Sequence, residues 1–253
     1  MPPSTVIFLL LLACVALWIF FKMRPGYFVG RGNAEWLKGN EEQAARYFEK
    51  AAREPYAKPQ LKHSYAYYLM KSGKPEQAER LLRAELANTK PGTLVRMQTE
   101  IHIATAMWLQ GERDDAIELL ERLHEKHKNS VIYGNLGYFR LLRGDNLEET
   151  LEFNKEACAF NDNDITILDN LAQNYYLLGR YEEAAEWYAK VMARQPKYAE
   201  SHYFYAKTLK ELGRLEEAKE QARLAAEKPL AMITPLDRAA VEALQVDIEK
   251  AAR

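Results

Sequence analysis

The sequence predicts an all-α protein: an apolar N-terminal helix, a stack of about six helical hairpins and one closing helix. Three observations carry this. A glycine followed five positions later by an alanine returns at a nearly fixed interval along the chain. Around these marks apolar residues recur at helical spacing, as in Leu168, Leu171, Tyr175 and Leu178. Residues 5–21 carry no charge at all.

Composition bounds the function. A chain of 253 residues, 48% hydrophobic and 28% charged with 12 Gly and 10 Pro, can bury a core, which excludes disordered and collagen-like classes. With 35 Lys+Arg against 36 Asp+Glu the net charge is -1, so no global field holds a phosphate backbone and no nucleic-acid partner is expected. Two cysteines, Cys14 and Cys158, cannot build a disulfide framework or a four-thiolate metal site.

The first element is TVIFLLLLACVALWIFF, residues 5–21. At 1.5 Å per residue it makes about 25 Å of helix, the lower end of a bilayer crossing. Only Met1, Pro2, Pro3 and Ser4 precede it, whereas Lys22, Arg24 and Arg31 follow, and cationic flanks stay in the cytoplasm. Residues 1–24 therefore read as a single-pass anchor in the cell membrane, N-terminus out and the remainder cytoplasmic. A cleaved signal peptide would carry its charge before the apolar run, not after it. The string Leu11, Leu12, Ala13, Cys14 loosely resembles a lipoprotein processing box, but seven apolar residues follow Cys14. That cysteine reads better as a small residue facing lipid or packing.

The repeats come next. Gly39 and Ala44, Gly73 and Ala78, Gly111 and Ala116, Gly179 and Ala184, and Gly213 and Ala218 share one pattern, and Gly144 to Thr150 repeats it with one extra residue. Successive Ala or Thr positions are separated by 34, 38, 34, 34 and 34 residues. Earlier in each unit stands a second small residue: Gly32, Ala66, Ala104, Gly137, Ala172 and Ala206. The glycine suits the left-handed end of a first helix, and the acidic residues after it suit the start of a second. Pro55, Pro91, Pro196 and Pro229 then punctuate the second helices.

A 34-residue hairpin with small residues at its eighth and twentieth positions, and Phe48, Leu82, Leu120 or Tyr188 at the twenty-fourth, resembles the tetratricopeptide repeat family. The resemblance covers about residues 25–232 and implies a right-handed superhelical solenoid. Its six repeats would occupy about 25–58, 59–92, 97–130, 131–164, 165–198 and 199–232. Residues 233–253 would form an amphipathic capping helix through Leu236, Ala240, Leu244 and Ile248, covering the open end. Three places depart from the pattern: Arg31 replaces an apolar residue, Glu85 and Asn154 replace packing residues, and four extra residues near Asn88 to Leu94 separate the second and third units.

No catalytic constellation emerges, so no enzyme and no cofactor are expected. Gly73 and Lys74 are followed by Pro75 rather than a Ser or Thr of a phosphate loop. His124 and His127 lack the metalloprotease pattern and read as solvated histidines at a helix end; His63, His102 and His202 fall in three different repeats and suggest no site. The resemblance instead implies a protein or peptide partner in a concave groove lined by the first helices. Its register points Asn33, His63, Tyr67, Thr105, Trp108, Tyr138, Leu141, Asp169, Gln173, Tyr176, Tyr203, Lys207 and Lys210 inward. The set lacks the cation cluster with which some relatives hold a carboxylate. Asn135 and Asn170, which can hold a peptide backbone in relatives, read here as packing and surface hydrogen bonds. For Trp108, Tyr138 and Tyr176, packing and partner binding weigh about equally. The expectation is a membrane-tethered scaffold or assembly factor. The alternatives are an exported, lipoprotein-like envelope protein and an enzyme or small-ligand receptor using the groove.

Overall fold

The computed structural model describes residues 2–251, and the described residues form thirteen helices and no strand. These are α1 (Pro3–Leu37), α2 (Glu41–Arg53), α3 (Pro59–Lys71), α4 (Pro75–Ala87), α5 (Leu94–Leu109), α6 (Arg113–Lys126) and α7 (Ser130–Arg143). They continue with α8 (Leu147–Phe160), α9 (Ile165–Leu177), α10 (Tyr181–Met192), α11 (Ala199–Glu211), α12 (Leu215–Glu227) and α13 (Arg238–Ala251). Met1 and the last two positions of the expected cap, Ala252 and Arg253, lie outside the described residues. The chain divides after Gln110 into two compact units, α1 to α5 and α6 to α13.

In the first unit α1 packs on α2, α3 on α4 and α4 on α5. Small residues set these approaches. A Cβ on Gly32 would come within 2.5 Å of the Phe48 ring, and Ala44, Ala66 and Ala78 are fully buried. The turn glycines Gly39 and Gly73 have φ of +78° and +71°, a conformation that costs glycine no Cβ clash. Arg31, where an apolar residue was expected, lies over the Tyr47 ring at 5.5 Å. Glu85 is buried and paired with Lys62 at 2.5 Å, which explains its tolerance in a packing position.

The apolar stretch and the first hairpin helix are one element. The boundary drawn at residue 24 falls inside α1, which runs unbroken through Pro25. Its apolar part is exposed, and among the described residues it is the one helix long and apolar enough to cross a membrane. The part beyond it docks: Pro25 and Gly32 are buried, and Arg24 pairs with Glu54 at 3.1 Å.

In the second unit α7 packs on α8, α9 on α10, α11 on α12 and α12 on α13. Ala172, Ala184, Ala206 and Ala218 are fully buried. Gly137 makes room for a polar layer, because a Cβ there would stand 2.3 Å from Asn154 Oδ1. Asn154 Nδ2 donates to Asn174 Oδ1 at 3.0 Å, and Asn174 Nδ2 to the Leu147 carbonyl at 3.0 Å. The asparagine thus replaces an apolar side chain with its Nδ2 satisfied, while its buried Oδ1 has no partner. The cap α13 buries Val241, Leu244 and Ile248, while Leu236 and Ala240 are only half-buried. Lys210 pairs with Asp247 of this helix, which removes it from the set of free groove cations.

Candidate functional site

The first helices α7, α9 and α11 of the second unit pack side by side and present one common face. Tyr138, Asp169, Tyr176, Tyr203 and Lys207 lie on it, each half-buried. Lys207 Nζ stands 5.4 Å from the Tyr176 ring centroid and 5.7 Å from that of Tyr203, so a cation sits between two aromatic faces. Phe204 supports the pair from within, at 5.7 Å from Tyr176 and 5.3 Å from Tyr203.

The segment after α12 returns across this face. Pro229 O accepts the Ala199 amide at 3.0 Å, Glu200 Oε1 accepts the Ala231 amide at 2.9 Å, and the Tyr138 hydroxyl donates to Ile233 O at 3.1 Å. A cavity of about 610 Å³ opens between this segment, α7, α9, α11 and the loop around Pro196. Two acidic residues belong to its walls. Glu200 is 7% exposed and its Oε2 has no partner. Asp169 is partly exposed as a residue, yet its Oδ1 is sealed from solvent and unpartnered. Burial, with the Glu200 charge adding to it, pushes Asp169 up to about 7 despite the hydrogen bond from Ser201. Burial likewise pushes the Tyr138 phenol up, with Glu200 and Asp169 contributing.

Several residues that the register pointed inward are not available. His63 is buried, its Nε2 2.8 Å from Thr99 Oγ1 and its ring 5.0 Å from that of His102. The two histidines, distant in sequence, meet because α3 and α5 pack together. Trp108 and Gln173 are buried at 8% and 3% exposure, as are Thr105 and Leu141, so these side chains pack rather than offer a surface. Asn33 and Tyr67 are exposed, in the first unit. Asn170 is buried and donates to Gly134 O at 2.8 Å, and Asn135 donates to Val131 O at 2.8 Å, both internal uses. His124 is half-buried rather than fully solvated: its ring lies 4.5 Å from Tyr133 and 5.2 Å from Phe153, and burial holds its pKa down.

Glu200, Ser201, Ala231 and Ile233 were not anticipated from sequence. The available signal was the run from Pro229 to Pro235, apolar and too long for a tight turn before the cap.

Profiles of the tetratricopeptide repeat match residues 165–198 and 101–130. The chain carries tetratricopeptide repeats. A PAB middle domain profile matches residues 184–246, overlapping the last repeats and the cap. No curated protein matches the sequence. Among solved structures, a tetratricopeptide repeat protein from Parabacteroides merdae is 14% identical with a TM-score of 0.60, covering 91% of this chain and 87% of that one. The thermophilic TPR protein TTC0263 of Thermus thermophilus is 21% identical with a TM-score of 0.59, covering 77% and 99%. A chain of the APC/C hetero-tetramer Cut9–Hcn1 is 14% identical with a TM-score of 0.65, covering 89% of this chain and 42% of that one. At such identities the likeness concerns the fold alone, one of stacked helical hairpins.

Proposed function

We propose that this tetratricopeptide repeat protein is a membrane-tethered scaffold that holds a partner protein against the α7, α9 and α11 face. The observation that carries the reading is the Tyr176, Lys207, Tyr203 cluster beside a cavity that the chain's own returning segment only partly fills. Half-exposed tyrosines on a rigid helical face give large contact area at little entropic cost, which is the composition of interface hot spots. The tether is supported by the exposed apolar residues of α1 and by their cationic edge. Lys22 Nζ lies 4.6 Å over the Trp18 ring, an aromatic and a cation together at the level where a bilayer meets water. The same charge asymmetry favours a cytoplasmic scaffold over an exported one.

A photo-crosslinking phenylalanine analogue at position 203 in intact membranes should capture a discrete partner, while the same probe at the exposed position 186 of α10 should not. Equal capture from both positions, or capture from 186 alone, would contradict the assignment of the face.

A further inference from the structure

The first hairpin folds positive charge back to the level where the apolar stretch ends. Contacts between α1 and α2 fall in reversed order, Gly32 at Phe48, Arg31 at Tyr47 and Arg24 at Glu54, so α2 runs back along α1 and ends beside residues 21–28. Its last turn carries Lys50 and Arg53 there, and the connection to α3 adds Tyr56 and Lys58, all four exposed. Residues 22–31 supply Lys22, Arg24 and Arg31 and no acid, and residues 46–58 hold four cations against Glu49 and Glu54. In a chain of net charge -1 this excess is local. Arg24 pairs with Glu54 and Arg53 with Glu49 at 3.1 and 2.6 Å. Lys22 and Lys50 instead stand over the rings of Trp18 and Tyr47 at 4.6 and 5.7 Å, and neither is paired with a carboxylate among the described residues.

A recess of about 550 Å³ opens at this junction, between Phe21, Arg24 and Phe28 of α1 and Lys50, Arg53 and Pro55. The acid in its lining, Glu54, is the one held by Arg24. We propose that this recess receives the headgroup phosphate of an anionic phospholipid from the membrane that α1 crosses. The proposal rests on the reading of α1 as a membrane anchor and names the lipid which that anchor selects. Basic clusters at the cytoplasmic edge of a span attract anionic lipids, and here the fold adds α2 cations that the span's own flank does not contain. Arg24 meets Glu54 through one guanidinium nitrogen and keeps further donors, and the rings of Phe20, Phe21 and Phe28 lie 5.6 to 5.9 Å from it, which holds it at the top of the apolar stretch. Lys50 offers a compact ammonium and Arg53 a planar fork matched to phosphate oxygens. Phe21 and Phe28 give the first acyl carbons an apolar wall. A zwitterionic headgroup brings its own cation against Lys50 and Arg53, whereas an anionic one does not. A free phosphate ion has no acyl chain to place it against the phenylalanines.

The test uses the full chain reconstituted into phosphatidylcholine vesicles, with nitroxide-labelled phosphatidylglycerol or phosphatidylcholine as the probe and the motionally restricted lipid fraction read by electron paramagnetic resonance. The wild type should hold the phosphatidylglycerol probe about fivefold or more in preference to the phosphatidylcholine probe, the size of effect that one basic residue near an anionic surface gives. Joint replacement by Lys50→Gln and Arg53→Gln should abolish most of that preference. Arg46→Gln, which removes a cation two turns earlier on α2, should leave it unchanged. Equal association of the two probes with the wild type would overturn the site, and this comparison stays decisive should a variant fail to fold. A preference that survives loss of Lys50 and Arg53, or that falls as far in Arg46→Gln, would also overturn it, leaving only the flank or the general charge as the cause. Displacement of the phosphatidylglycerol probe by inorganic phosphate at an ionic strength matched with chloride would make free phosphate the ligand and remove the lipid. Flotation with unlabelled phosphatidylcholine vesicles separates the two readings. A chain that floats without a lipid preference keeps its anchor and loses the headgroup site, whereas a chain that does not float loses both.

Discussion

His63 and His102 belong to neighbouring first helices, and their rings meet at 5.0 Å under Thr99. Burial, with the neighbouring His63 adding to it, pulls His102 down to about 4, and burial also lowers His63 against the opposing charge of Glu85. An unfolded imidazole titrates near 6.5, so between about pH 6.5 and 4 the unfolded chain takes up protons that the folded one refuses. Stability should therefore fall as the pH drops through that window. Melting curves at pH 7 and 4.5 should show this loss in the wild type and a smaller one in His102→Gln; equal losses would mean that the buried imidazole is not responsible. The pairing was invisible in the sequence because periodicity assigns a side chain to a face of its helix without saying what covers that face. Trp108 and Gln173 illustrate the same limit, pointing inward by register yet buried. Asp169 and Tyr176 were legible by register, whereas Glu200 joined them only through a loop contact with Ala231.

Helices and their turns were the most legible part of the chain. Close approach of two helices admits only small residues, and a left-handed turn residue admits glycine most cheaply, so both constraints are written at fixed spacing. All six turn glycines, from Gly39 to Gly213, adopt positive φ. What spacing did not disclose is that the apolar stretch and the first hairpin helix form one rod, since each half satisfies its own pattern. Removal of residues 1–24 should leave a soluble, strongly helical protein. Pro25 would become the first residue of the shortened helix, where its missing amide is harmless, and the buried Gly32 would keep its contact with Phe48. Circular dichroism and sedimentation of the truncated chain check this. Aggregation or loss of helicity would show that Val6 to Phe21 packs on the repeats.

For the molecule as a whole, the proposed function divides the labour between an apolar end that would hold the chain at a membrane and repeats that present side chains. The proposed partner face of the second unit is completed by the segment from Pro229 to Ile233, which follows the last helix of the sixth repeat. If that face holds a partner, its tyrosines bind rather than pack. Tyr175 and Tyr176 allow a direct comparison, being adjacent in α9 with Tyr175 buried at 7% exposure and Tyr176 half-exposed beside Lys207. The decisive measurement is partner binding per folded molecule, alongside melting temperature, for Tyr176→Ala and Tyr175→Ala. Tyr176→Ala should weaken binding by about 2 kcal/mol or more with little loss of stability. Tyr175→Ala should cost about 3 to 5 kcal/mol of stability, as large buried aromatics do, and leave binding by the folded fraction intact. The opposite pattern, with Tyr176→Ala unfolding the domain while binding per folded molecule stays unchanged, would contradict the assignment and make these aromatics packing residues.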